Sequence, residues 1–445
     1  MAVLVFGPIL LLSGIARHYA DLVATLAPVE YGRTNLEALH LMLRKITQGN
    51  SDSWQPMIQA LSVLHDPRTH SQLYETVFFQ DRIKFQYAPT SLLPIDLLQQ
   101  LHLARDGVLN ALNLIVFLVN ALAVSALSYL ILPPRRDPPA DDRLVRIAMA
   151  ALTFAACFLF YPLVKAKLLG QIQLWIDMLC TFTVLFWIAD RRFLAGAMIG
   201  LACMIKPQTG ILLVWALAWK EWRMVGGILF TAAPLLLTSL LAYGLHNHVE
   251  YLRVLSFLSR HGEAFFQNAS MNGLVNRYLG NGDNLVWQWH EFAPFNPVVY
   301  LSTMAFALLC LAAILLPALR HRGRATALDL SAAFICVVVS SPIAWEHHYG
   351  ILPPLYIVAL HAWMTAGAGW RRRCALAMLA VSWTLTATFI PLANLLAASR
   401  YNVAQSYIFF GALLLLAVIL WKRAWPGTTH VTAVDAAWAD RGVRA

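Results

Sequence analysis

The sequence predicts an all-α polytopic membrane protein, and three observations carry that prediction. Of its 445 residues 59% are hydrophobic and only 13% are charged, whereas a soluble domain has roughly 25% charged residues; the mean hydropathy is +0.61. The apolar residues fall in repeated runs near the ~20 residues that a bilayer crossing needs. The short stretches between the runs hold most of the Lys and Arg behind the net charge of +10. That placement makes the charge a topology signal, so membrane lipids are expected as partners and no nucleic acid is.

Residues 1–16 lack the basic n-region and small-residue cleavage site of a signal peptide and read as a retained first span reaching past Arg17. Residues 17–88 form a long first loop in which 37–45 and 56–64 carry apolar residues at helical spacing, which predicts helices lying on the membrane surface. A short apolar piece, 90–103, precedes a clear span at 107–132 and a charged, proline-rich turn at 133–139. Further spans are predicted at 145–163, 171–189, 193–206, 209–219, 224–244, 297–318, 327–341, 350–366, 374–395 and 404–421. The pieces 193–206 and 209–219 are broken by Lys206-Pro207. Proline removes a helix hydrogen bond, and broken helices line cavities rather than face lipid.

The count closes at about 12 spans when 90–103 does not cross. Arg135, Arg136, Arg143, Arg191, Arg192, Lys220, Arg223, Arg320, Arg322, Arg324, Arg371, Arg372, Arg373, Lys422 and Arg423 mark the cytoplasmic side. Both termini then lie inside, and the long loops 17–88 and 245–296 lie outside. The chain reads as one integral membrane domain over 1–424 with a flexible cytoplasmic tail, 425–445. No 20–50-residue repeat is visible, which argues against transporter folds built from repeats. The six cysteines show no CxxC spacing and suggest neither disulfides nor a metal site.

The most informative stretch is 165–208, two apolar runs joined by the charged turn Asp190-Arg191-Arg192. A charge near the bilayer centre costs on the order of 3 kcal/mol by insertion scales. Asp177 and Lys206 must therefore face protein, water or a ligand, with Asp177 either the salt-bridge partner of Lys206 or part of a ligand site. Lys165 and Lys167 fall on the outer side, against the topology rule, which points to another role. Gln171, Gln173 and Gln208 accompany them. Polar clusters gather on the same side: Asp52 near Trp54, then Tyr87, then Asn268, Ser270, Asn272 and Arg277, then Trp345, Glu346, His347 and His348. A carboxylate, imidazoles, lysines, a guanidinium and amides can hold an anionic phosphate and take a proton from a hydroxyl. Each cluster also has a plainer reading. Asp52 suits a helix start, Asn268-Ala-Ser270 matches a glycosylation sequon, and the adjacent Glu346, His347 and His348 diverge too much on a helix to favour a metal.

Four pieces in order carry a family resemblance: Gly170-Gln171-x-Gln173; Ala195-Gly196 leading to Lys206-Pro207; Gln267-Asn268-x-Ser270 with Arg277; and Ser341-Pro342-x-x-Trp345-x-His347-His348. Over nearly its whole length the chain resembles glycosyltransferase family 87, the polyprenyl-phosphate-sugar-dependent integral membrane enzymes that include polyprenyl-phosphate-mannose mannosyltransferases. It departs from the usual pattern at Ser53, at Tyr87-Ala88-Pro89 where Tyr-Pro-Pro is common, and at Gln173. The resemblance implies a GT-C-like fold and inverting transfer from a polyprenyl-phosphate-linked sugar, mannose-type, to a lipid or glycan acceptor. The reaction would occur on the outer face of the cytoplasmic membrane, with no cofactor and no metal.

It also implies that a first-loop carboxylate is the general base: Asp52, with Asp66 and Glu37 as alternatives. His347 and His348 would share the catalytic work. Lys206, Arg277, Gln171 and Lys167 would bind the donor phosphate. Tyr87, Asn268, Ser270, Asn272, Trp345 and Asp177 would contact substrate, with Trp54 a further stacking surface. The competing class is a lipid or solute transporter or flippase with a central charged cavity. It accounts for the spans, but less well for polar clusters gathered on one side and for long structured loops.

Overall fold

In a sequence this apolar, backbone groups inside a bilayer can be satisfied only by bonding within the chain, and helices achieve this locally. In the computed structural model the chain is accordingly 77% helical with no strand among the described residues. One isolated bridge joins Asn268 and Trp345. The described residues are 2–26, 32–45, 50–131, 142–320 and 323–424; the tail 425–445 and the topology marks Arg135, Arg136 and Arg322 lie outside them.

Helix α1 (Ala2–His18) meets α2 (Ala20–Leu26) at 97°. The two helices expected in the first loop are present as α3 (Asn35–Arg44) and α4 (Trp54–His65). Thr34 starts α3, its hydroxyl accepting from the Glu37 N–H, and each helix buries one face: Ala38 and Met42 in α3, Met57, Ala60, Leu61 and Leu64 in α4. A π-helical turn (Glu75–Gln80) and a 3-10 turn (Pro89–Leu92) lead to α5 (Leu93–Gln100). Eight residues of helix rise only about 12 Å, well short of a bilayer's hydrocarbon thickness.

Helix α6 (Asp106–Ile131) is followed by α7 (Asp142–Leu159), which bends by 52° into α8 (Tyr161–Leu169). The predicted hairpin is α9 (Gln173–Ile188) and α10 (Arg192–Ile205), and the Lys206-Pro207 break opens a 3-10 turn (Pro207–Gly210) before α11 (Ile211–Ala218). Helix α12 (Trp222–His261) continues past the end predicted at 244. Non-helical angles at Gly244 (φ 78, ψ 151) divide it, and its second part, 245–261, enters what reads in sequence as loop. The remaining helices are α13 (Met271–Tyr278), α14 (Pro297–Arg320), α15 (Ala327–Val339), α16 (Leu352–Met364), α17 (Trp370–Ala387) and α18 (Tyr407–Ala424), with a 3-10 turn (Glu346–Ile351) before α16.

Among the described residues four helical stretches are long and apolar enough to cross a membrane, or six if the bent pairs α1/α2 and α7/α8 each make one span. Among the shorter apolar helices α15 buries every one of its 13 residues, whereas α11 leaves Val214 and Leu217 exposed. Small residues bring backbones together where α10 packs on α12. A Cβ on Gly196 would lie 2.0 Å from the Met224 carbonyl oxygen, which gives Ala195-Gly196 a packing reason.

Candidate functional site

The first loop, the α8–α9 turn, the break after α10, the extension of α12 with the loop behind it, and the 341–348 segment enclose a cavity of about 700 Å³. Asp52, Tyr87, Gln171, Lys206, Trp345, His347 and His348 all line it.

One wall is built around Asp52. The first loop returns to the bundle through two backbone bonds, Asn50 N–H to Leu168 O and Asp52 N–H to Leu169 O, each 3.0 Å. The approach is so close that a Cβ on Gly170 would lie 1.9 Å from the Asn50 carbonyl oxygen, and Gly170 itself is left-handed at φ +68. Only glycine serves there. The next residue, Gln171, faces three side chains. Its Oε1 accepts from Ser53 Oγ (2.7 Å) and from Tyr87 Oη (3.1 Å). With the carbonyl end so occupied, the amide nitrogen turns to Asp52 and donates to its carboxylate. Ser53, a departure from the family pattern in sequence, thus helps fix the amide that holds Asp52; its hydroxyl also takes the Ile172 N–H (3.1 Å). Asp52 is exposed at its surface, and it lies in the cavity wall with protein packed densely around it. Loss of bulk hydration raises its carboxyl above the ordinary range, against the pull of the Gln171 hydrogen bond and the Lys165 charge. Asp66 caps the Arg68 N–H and Glu37 the Arg33 N–H, and neither lines the cavity.

The opposite wall carries donors. Lys206 Nζ lies 2.8 Å from His348 Nε2 and 3.2 Å from Gln173 Oε1. The Trp345 N–H donates to His348 Nδ1 (3.2 Å), so in neutral His348 the proton sits on Nε2. At 2.8 Å Lys206 Nζ and His348 Nε2 form a hydrogen bond, with the amine as acceptor when the ring carries its proton on Nε2. Burial and the Lys206 charge hold His348 well below the usual imidazole range, and burial with the Lys165 and Lys206 charges does the same to His347. His347 lines the cavity beside His348, with ring centroids 4.8 Å apart, and among the described residues neither of its ring nitrogens is spent on a protein partner.

Beneath these walls Lys165 and Glu346 form an ion pair at 2.5 Å, 1% and 2% exposed. Burial raises the Glu346 carboxyl, opposed first by Lys165 and then by Arg277. The pair anchors the 341–348 segment to α8, and it gives Lys165 a task the topology rule could not. Asp177 is fully buried away from the cavity. Its Oδ1 accepts from Gln173 Nε2 (2.9 Å), so Gln173 links it to Lys206 through one amide.

The structure separates the remaining sequence candidates from the cavity wall. Lys167 donates to the Lys45 carbonyl and ties α8 to the end of α3. Arg277 donates to the carbonyls of Phe265 and Asn268 (both 3.1 Å) and to Ser406 Oγ (2.5 Å). Asn268 donates to Glu263 O (2.9 Å) and accepts from the Ala344 N–H (2.9 Å). Ser270 starts α13 and donates to Pro342 O (3.0 Å), and Asn272 accepts from the Glu263 N–H (3.2 Å). Together they sew the 263–277 segment to the loop that carries Trp345, His347 and His348. Asn268, buried and doubly bonded, is not available as a glycan attachment point. Trp54 is fully buried against Trp175 and is no stacking surface for a ligand. Among the described residues no three His, Cys, Asp or Glu side chains are grouped to hold a metal ion.

The profile of glycosyltransferase family 87 matches residues 85–342, more than half of the chain. The chain belongs to glycosyltransferase family 87. It is therefore a glycosyltransferase, an enzyme acting on a sugar donor and an acceptor, and the transporter reading falls. No curated protein matches the chain. The family 87 match includes Tyr87, Gln171 and Lys206, begins after Asp52 and ends before Trp345. The place of Asp52, His347 and His348 in this enzyme therefore rests on the geometry. Sequence reading passed over Lys84, Trp287, Trp289 and His290, which also line the cavity; their one signal was the density of aromatic and polar residues at 287–292 within the second long loop.

Proposed function

We propose that this family 87 enzyme transfers a sugar, mannose-type, from a polyprenyl-phosphate donor to a lipid or glycan acceptor, with inversion, at the outer face of the cytoplasmic membrane. One observation carries the reading: a carboxylate, Asp52, and a cluster of N–H donors, Lys206 with His348, face a single cavity large enough for a sugar phosphate. In a GT-C-like arrangement we count 12 crossings, α1, α6, α7 with α8, α9, α10, α11, α12, α14, α15, α16, α17 and α18. Of the short ones α9 and α15 are largely buried in protein, and α11 crosses together with the 3-10 turn that precedes it. A single catalytic domain over 1–424 follows.

The donor phosphodiester carries one negative charge. As the anomeric C–O bond breaks, the leaving polyprenyl phosphate gains a second. Lys206 and the Nε2–H of His348 are donors aimed where that charge develops, which is where hydrogen bonds lower a barrier most. His347 supplies a further ring nitrogen to the sugar or phosphate. On the other side Asp52 takes the proton of the acceptor hydroxyl as its oxygen attacks the anomeric carbon. The direct displacement inverts that carbon, since among the described residues no second carboxylate lines the cavity to form a covalent intermediate. Tyr87 and Trp345 flank the sugar. Gln171 holds Asp52, and Arg277, Asn268, Ser270 and Asn272 position the histidine loop rather than touch substrate. The leaving group has one phosphate and no diphosphate charge that would call for a metal.

The test is incubation of the purified full-length protein with radiolabelled polyprenyl-phosphate sugars and membrane lipid extract. Transfer that disappears in Asp52→Asn supports the reading. Transfer only from nucleotide sugars, or full transfer by Asp52→Asn, overturns it.

A further inference from the structure

The cavity has a second region whose chemistry differs from the phosphate-facing part. Lys84 Nζ sits 3.9 Å from the centre of the Trp287 ring and is paired with Glu263 at 2.5 Å. Trp287 in turn meets Trp345 edge-on, with centroids 5.1 Å apart at 75°, and Trp289 at 6.2 Å and 79°. The rings are thus braced by one another and by a cation. Trp289 is 64% exposed while lining the cavity, in contrast to His347 and His348, which are buried at its depth. Its neighbours Gln288, His290 and Glu291 are exposed as well, so the rim is polar on both sides of Trp289, with the exposed Leu285 and Val286 just before it.

We propose that Trp287 and Trp289, with Lys84 and His290, form the acceptor-saccharide subsite of this enzyme. The inference rests on the function proposed above and deepens it. In an inverting displacement the acceptor approaches the anomeric carbon from the side opposite the phosphate. Lys206 and His348 hold the phosphate deep in the cavity, so the acceptor enters from the exposed rim. A pyranose offers an apolar C–H face and a rim of hydroxyls. Indole rings match the first, and Lys84 and His290 match the second as hydrogen-bonding partners. A polyprenyl chain would instead require a rim free of exposed Gln, His and Glu. Sequence proximity also favours coupling, since the Tyr87 that flanks the sugar lies three residues from Lys84 on the same short segment.

The experiment titrates intrinsic tryptophan fluorescence of the purified full-length enzyme with two probes, methyl α-mannopyranoside with its dimannoside, and undecaprenyl phosphate. Trp289→Ala, at an exposed position, leaves the core intact and is the main variant; Lys84→Met is the second. The expected result is saccharide binding weakened about tenfold in Trp289→Ala, the scale of losing one aromatic anchor, with undecaprenyl phosphate binding unchanged. Lys206→Met gives the reverse pattern. Loss of undecaprenyl phosphate binding in Trp289→Ala would make the rim a lipid-chain site and overturn the inference, as would wild-type saccharide binding in both rim variants. If Lys206→Met binds undecaprenyl phosphate normally while Trp289→Ala loses saccharide, the donor reading fails and the subsite stands.

Discussion

The two walls of the cavity differ in how complete they are without a ligand. Around Asp52 one carboxylate oxygen is fixed by a chain of bonds: Ser53 and Tyr87 satisfy the Gln171 carbonyl, and the Gln171 amide donates to Asp52 Oδ2. Around Lys206 the arrangement is more open: Lys206 Nζ meets His348 Nε2 and Gln173 Oε1, and the ring nitrogens of His347 beside them have no protein partner among the described residues. A closed network holds one group in one orientation, which suits a base that must meet a hydroxyl at a fixed angle. An open cluster of donors suits an anion that arrives with the substrate and leaves with the product. The difference teaches that one wall is organised by the protein and the other is finished by the donor.

The largest effect is expected at the closed wall. Asp52→Asn keeps the shape and removes the base, and single-turnover transfer should fall about 1,000-fold with undecaprenyl phosphate binding intact. If donor binding fell with it, the two walls would not be separable. At the open wall Lys206→Met should raise the donor KM by about 10- to 100-fold, the range for losing a charge-assisted hydrogen bond, as read from initial rates at varied donor. Gln171→Leu should lower kcat by about tenfold with donor KM unchanged, since it frees Asp52 and leaves the Ser53 and Tyr87 hydroxyls without an acceptor. Equal loss from Gln171→Leu and Gln171→Glu would instead mark a packing role.

The two walls shift their groups in opposite directions, yet both responses rise with pH, one in activity and the other in stability. Asp52 is raised, so transfer should climb with pH through a limb lying above the ordinary carboxylate pKa of about 4. His347 and His348 are depressed, so the unfolded chain binds more protons than the folded one. Their contribution to stability is full above the unfolded imidazole pKa of about 6.5 and is lost as pH falls below it toward the folded values. Thermal unfolding in detergent should show that loss, and a double His347→Gln, His348→Gln variant should show less of it. The smallest effect is expected for Asp177→Asn, which lies off the cavity and acts on Lys206 through its charge and through Gln173. A threefold or smaller rise in donor KM is expected, of the order that one hydrogen bond removed from contact gives.

Much of the fold was legible because its causes are local. Apolar runs of bilayer length and helical spacing in the first loop predicted α6, α14, α3 and α4. The Lys206-Pro207 break was legible because proline acts on its own turn. The end of α12 was not. Its extension 245–261 is polar enough to read as loop, and it is helical because Tyr251, Val254 and Leu258 bury against the rest of the protein. The site was half legible for a similar reason. Lys206 was recognisable as a charge that lipid would reject, and Asp52, Gln171 and His348 as members of polar clusters on one side, yet Arg277, Asn268 and Lys167 looked equally apt and are turned to backbone carbonyls.

By itself the sequence determined that the chain is helical, lives in a membrane and carries charges in apolar segments that require a purpose, since hydrophobic periodicity and charge cost are properties of neighbouring residues. Only the tertiary structure decided which of those charges face a common space. Asp52 meets Gln171 across 119 positions and Lys206 meets His348 across 142. Which hydrogen bond a polar side chain makes depends on what the folded chain brings within about 3 Å of it, and no local pattern encodes that.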